Sequence, residues 1–98
     1  MAGIKHDKDK ARLHLIPIEA LELMSETLEY GISKYNKKNY EGGIQYTRLA
    51  DAALRHLYQW LQKADLDEES GLNHIGHALS NLAMLAYMIK NKPEMDDR

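Results

Sequence analysis

The stretch from Arg48 to Asn81, RLADAALRHLYQWLQKADLDEESGLNHIGHALSN, constrains the fold of this chain more than any other. It holds two helical periodicities joined by a short acidic loop. In its first half, Leu49, Ala53 and Trp60 form one apolar stripe, and Ala50, Leu54, Leu57 and Leu61 form another. A helix from Tyr46 or Thr47 to about Lys63 that is apolar on two sides needs two packing partners. His56 falls on the first stripe and is expected to point inward. In the second half, a helix from near Leu72 to about Asn91 has Ile75, Leu79, Leu82, Ala86 and Ile89 as its expected core stripe. His74, His77, Asn81, Met84 and Met88 form the neighbouring stripe, polar at its start and apolar at its end.

The remaining segments fit around this pair. Pro17 suits the first position of a helix, and Ile18, Leu21, Met24 or Ser25, Leu28 and Ile32 then recur at three-to-four spacing. Glu19, Glu22, Glu26 and Glu29 form an adjacent stripe, read as a solvated face. Glu26 and Glu29, three apart, are an alternative pair of metal-binding carboxylates. Gly31 and the YNKKNYEGG run end this helix in a polar turn. Residues 1–12 form an arm in which Lys5, Lys8, Lys10 and Arg12 alternate with Asp7 and Asp9. Leu13, Leu15, Ile16 and Ile18 follow at once and are expected to pin the arm to the body. Lys92-Pro93 stops the third helix, and residues 92–98 read as a polar tail. No strand-like alternation or internal repeat is present. The expected fold is all-α, one helical domain over residues 1–98, with three main helices and an ordered N-terminal arm. The second apolar faces of helices two and three predict a bundle completed by oligomerisation, as a homodimer or homotetramer.

Composition narrows the function. A net charge of −2 over 98 residues and a pI near 6.2 argue against duplex nucleic-acid binding as the main task. Without cysteine there is no disulfide framework and no thiolate ligand or nucleophile. No signal peptide is visible in MAGIKHDKDKAR, and no run approaches the roughly 20 apolar residues of a membrane helix. The expected location is the cytoplasm.

Chemistry concentrates around the acidic loop. His74 and His77, three apart on one helix, set their Cβ atoms about 5–6 Å from each other. With His56, Asp67 and Glu69 they form a candidate site for a divalent ion such as Mn²⁺ or Mg²⁺, where carboxylates and imidazoles combine. Asp65, Asp67 and Glu69 imitate the opening of an EF-hand loop, but Ser70 stands where its glycine belongs and Gly76 where its last glutamate belongs. That reading fails. There is no P-loop, GxSxG elbow or HExxH. Metal-assisted attack of water on a phosphoanhydride remains open, with Arg48, Arg55, Lys8, Lys10 and Arg12 as candidate phosphate-binding cations. The bland alternatives are histidines that merely fill the core and arginines that pair with the acidic loop.

These residues resemble the small, mostly phage-encoded dATP/dGTP diphosphohydrolase-like proteins, relatives of the MazZ and MazG all-α nucleotide pyrophosphatases. The likeness runs almost end to end. It starts with a K-x-D-x-G-K-x-R-x-x-L-x-P pattern at Lys5, Asp7, Lys10, Arg12, Leu15 and Pro17, with Asp9 in place of the glycine. It continues through YGISKY, with Lys34 and Tyr35, and Asn39-Tyr40. The most specific part covers Thr47, Arg48, Leu49, Arg55, His56, Leu57 and Trp60, then Asp65, Asp67, Glu69, Ser70, Gly71, His74, His77 and Ala78, with Glu68 replacing a proline. It ends at Asp96-Asp97-Arg98. The resemblance implies metal-dependent hydrolysis of a purine deoxynucleoside triphosphate, dGTP or dATP, to monophosphate and pyrophosphate. It adds Lys34 and Tyr35 to the expected substrate contacts. The alternatives from other classes are a protein that binds a nucleotide or nucleotide signal without turnover, and a helical assembly protein.

Overall fold

A computed structural model describes residues 2–98. Regular structure among them is helical: α1 (Ile18–Lys34), α2 (Tyr46–Leu61) and α3 (His74–Asn91), with short 3₁₀ turns at Leu13–Leu15, Asn39–Gly42 and Pro93–Met95. The fold is all-α, as the periodicities predict. No helix among the described residues is long and apolar enough to cross a membrane.

Local chemistry sets the helix ends. Pro17, extended at φ −62° and ψ 135°, caps α1 without an N–H to strand, and the Tyr35 N–H closes the helix on the Gly31 carbonyl at 2.7 Å. The α2 helix ends with Lys63 in the left-handed region (φ 68°). There the Lys63 N–H donates to the Trp60 carbonyl and the Ala64 N–H to the Gln59 carbonyl, the Schellman arrangement that satisfies the last carbonyls. Helix α3 begins at His74, later than the sequence pattern suggests, because the Asn73 side chain takes the Ile75 N–H at 2.8 Å.

Helix α3 packs along both α1 and α2. Its contact with α1 is made through small residues. Gly76, Ser80 and Thr27 are buried, and a Cβ on Gly76 would stand 2.7 Å from the Leu23 carbonyl oxygen. The Thr27 hydroxyl donates to the Gly76 carbonyl at 2.9 Å and shares a hydrogen bond with the Ser80 hydroxyl. Against α2, the opposite end of α3 brings Met88, fully buried, onto Tyr46 and Leu49, with Tyr40, Ile44, Met84 and Met95 around them.

This geometry corrects the expected core of α3. With α1 on the Gly76/Ser80 face and α2 on the His74/Ala78/Met88 face, the stripe continuing through Leu82, Ala86 and Ile89 points outward. Leu82 is 51% exposed and Ile89 60%. Leu54, Leu57 and Leu61 on α2 are likewise exposed.

Two further expectations change. The arm is not pinned: Leu13, Leu15, Ile16 and Ile18 are all exposed, and the backbone hydrogen bonds around it join only near neighbours, such as Lys10 N–H to the Asp7 carbonyl. The radius of gyration, 16.2 Å, exceeds the roughly 13 Å of a compact chain of this length, as a projecting arm requires. The tail, by contrast, is pinned. Asp97 accepts the Thr47 N–H at 2.9 Å and the Thr47 hydroxyl at 2.5 Å. It thereby supplies the N-terminal cap that Gln45 does not give α2.

Candidate functional site

The histidine end of the α2–α3 pair is built by the loop between them. His74 N–H donates to the Asp65 carbonyl at 3.0 Å, Asp67 N–H to the Leu72 carbonyl at 2.8 Å and Gly71 N–H to the Asp67 carbonyl at 2.8 Å. Gly71, at φ 72°, makes the reversal that a side chain would strain. The loop is thereby closed, and it turns the Asp67 carboxylate toward the helices.

There the donor atoms of His56, Asp67 and His74 lie within 4.8 Å of one another. His56 Nδ1 and His74 Nδ1 are 2.8 Å apart, one donating and the other accepting. His77 stacks on His56 with ring centroids 4.5 Å apart. Its Nε2 is 2.6 Å from the Ser70 hydroxyl and 3.8 Å from an Asp67 oxygen. Tyr30 meets the His77 ring edge-on. His74 is buried; His56 and His77 are half-buried.

Burial, helped by the neighbouring histidines, pushes the His56 pKa below its ordinary value. Burial likewise lowers that of His77, although Asp67 pulls the other way. Burial by itself would raise the Asp67 pKa, but the Ser70 N–H at 2.8 Å, the Ser70 side chain and the histidines more than reverse this and hold the carboxyl ionised. The result is two neutral imidazoles facing one anion.

Two imidazole nitrogens and a carboxylate oxygen fit a divalent transition ion. Ligands at about 2.0–2.1 Å from a common centre are themselves about 3 Å apart, close to the 2.8 Å seen between the two Nδ1 atoms. Binding would replace the His56–His74 hydrogen bond, with the proton moved to Nε2. The nitrogen share of this set favours Mn²⁺ over the harder Mg²⁺.

The other proposed ligands lie differently. Glu69 turns outward and takes the Lys34 ammonium at 2.7 Å, which holds its pKa down. Glu26 and Glu29 are exposed on α1, as a solvated face predicts.

A cleft of about 860 Å³ opens beside the cluster. Lys34, Tyr35, Arg48 and Arg55 line it, together with His56, Asp67, Glu69 and His77. The expected cations of the body thus converge on one cavity, whereas Lys8, Lys10 and Arg12 do not line it. Sequence reasoning did not single out Ser70 as the hydrogen-bond partner of both Asp67 and His77, nor Tyr30. The serine that follows the loop's last carboxylate was the available signal, but its direction depends on how the loop closes.

The family model for the N-terminal part of dATP/dGTP diphosphohydrolase matches residues 1–98. A dATP/dGTP diphosphohydrolase of Salmonella phage PMBT28 is 39% identical over 98 residues, which is all of this chain and 33% of that protein. The chain therefore spans a third of the length of this curated relative. No solved structure matches it.

Proposed function

Because the chain belongs to the dATP/dGTP diphosphohydrolase N-terminal family, we propose that its cleft hydrolyses a purine deoxynucleoside triphosphate to the monophosphate and pyrophosphate with the help of a divalent ion. The observation that carries this reading is the His56, Asp67 and His74 donor set, whose His56 and Asp67 line the same cleft as Arg48, Arg55 and Lys34 while His74 lies buried behind them. The same reading places the protein in the cytoplasm as a homo-oligomer.

A divalent ion held by His56, Asp67 and His74 would neutralise phosphate oxygens and acidify a water molecule. The residues of the chain do the rest. Arg48 and Arg55 bind the phosphates through their planar forks. Lys34 can join them, since its pair with Glu69 is exposed on both sides and such pairs are worth about 0–1 kcal/mol. A triphosphate, carrying more charge, draws it away. His77, kept neutral by burial, accepts the proton of the attacking water, and Asp67 at 3.8 Å steadies the imidazolium that forms. The water oxygen bonds to the α-phosphorus as the bond to the bridging oxygen breaks. Pyrophosphate leaves with its charge held by the cations.

Chromatography of products from each deoxynucleoside triphosphate with Mn²⁺ or Mg²⁺ tests this reading. A monophosphate and pyrophosphate from dGTP or dATP is the expected result, lost in His56→Ala while the helical circular dichroism stays. Full activity in that variant would sink the assignment. No product from any nucleotide, with a nucleotide-dependent rise in melting temperature, would replace it with binding without turnover.

A further inference from the structure

We propose that Lys34 and Tyr30 form a phosphate subsite in the cleft, filled in the free protein by the chain's own Glu69 carboxylate. The terminal phosphate of the substrate, and the pyrophosphate it becomes, take that carboxylate's place. Tyr30 and Lys34 lie four apart on α1 and so share one face of the helix. Both line the cleft, as does Glu69, which comes from the loop between α2 and α3. The Lys34 ammonium donates to Glu69 Oε1 at 2.7 Å. It also stands 5.7 Å from the centre of the Tyr35 ring, a cation–π contact that helps to hold it in the cleft. The Tyr30 hydroxyl donates to the same carboxylate, and this bond, after the Lys34 pair, keeps the Glu69 carboxyl below its ordinary range. Burial and the Glu69 charge raise the Tyr30 pKa, so its hydroxyl stays a donor.

Donor chemistry and position separate this arrangement from an ordinary surface pair. An ammonium and a hydroxyl converging on one carboxylate are donors that a phosphate accepts from as well. The subsite also adjoins the proposed metal site. The Tyr30 ring meets His77 edge-on with centroids 6.2 Å apart, and His77 stacks on the ligand His56 at 4.5 Å. An anion held by Lys34 and Tyr30 is thus one ring away from the groups proposed to act on the α-phosphorus. The ion pairs among the described residues include neither Arg48 nor Arg55. A polyanion that bridges these arginines and Lys34 therefore gains more than the single charge of Glu69 offers. Glu69 competes without shutting the site: its pair with Lys34 is exposed on both sides, and such a pair shifts an equilibrium by about fivefold at most.

That the subsite takes the terminal phosphate of a nucleotide rests on the proposed hydrolysis; its affinity for pyrophosphate does not. Two isothermal titrations separate these sources without turnover. One adds inorganic pyrophosphate to the metal-free chain, and the other adds α,β-methylene dATP, which cannot be cleaved at that bond, in the presence of Mn²⁺. Glu69→Gln is expected to bind both about threefold to fivefold more tightly. Tyr30→Phe and Lys34→Ala should each bind them several-fold more weakly. In a Lys34→Ala background the gain from Glu69→Gln should fall below about twofold, the effect of one exposed, screened charge. The subsite is overturned if no variant binds pyrophosphate, or if Glu69→Gln binds it no more tightly. It is also overturned if that gain is the same with and without Lys34, or if Tyr30→Phe leaves pyrophosphate affinity unchanged. A gain for pyrophosphate without one for the analogue overturns the terminal-phosphate assignment alone. Absence of dATP hydrolysis with these shifts intact would instead sink the proposed reaction and leave the subsite standing.

Discussion

At the scale of single residues, the site separates carboxylates that look equivalent in the sequence. Asp65, Asp67 and Glu69 are evenly spaced, yet only Asp67 faces the histidines, because the hydrogen bonds through Leu72 and Gly71 close the loop around it. Asp67→Ala is therefore predicted to weaken Mn²⁺ binding by at least about 100-fold, and Ser70→Ala by roughly 10-fold, the usual scale for a group that orients a ligand. Glu69→Ala should change it little. Isothermal titration with Mn²⁺ measures all three, and equal losses for Asp67 and Glu69 would contradict the assignment. The histidines add a pH dependence. Their pKa values in the fold lie below the ordinary 6.5, so the unfolded chain binds more protons as pH drops below that value. The metal-free protein should be most stable above about pH 6.5 and lose stability in urea as pH falls toward 5, less steeply in His56→Gln. The cluster was legible in the sequence as residue types at helical spacing; the choice among its carboxylates was not, since it depends on backbone hydrogen bonds that no periodicity encodes.

At the scale of elements, helix positions were legible and helix faces were less so. The apolar spacing of α3 identifies two stripes but not which one is covered. The outcome turns on Gly76 and Ser80, small residues that let α1 approach closely and so claim a face with little apolar character. Gly76→Ala tests this. Its Cβ would press on backbone, the Leu23 carbonyl, at 2.7 Å, so α1 must move. The gain in helix propensity, up to about 1 kcal/mol, is smaller than the roughly 1–3 kcal/mol of overpacking, and urea unfolding should show a net loss. A gain would mean that the helices do not approach this closely. The C-terminal latch is the other element hidden from pattern reading, because a cap supplied from fifty residues away leaves no local signature. Asp97→Ala should lower the melting temperature at pH 7. The Asp97 pKa is lowered by its bonds from the Thr47 side chain and backbone. The difference between the two proteins should therefore persist above the ordinary aspartate value and vanish as pH falls below it.

At the scale of the whole molecule, a small core stands beside a large uncovered apolar surface. Tyr46, Leu49, Ala53, Ala78 and Met88 are buried, while α1, α2, α3 and the arm all expose large apolar side chains. The sequence already showed more apolar faces than three helices can cover, and the structure locates one of them on the outer side of α1, where Leu21 and Ile32 stay exposed because α3 packs on the opposite face at Thr27.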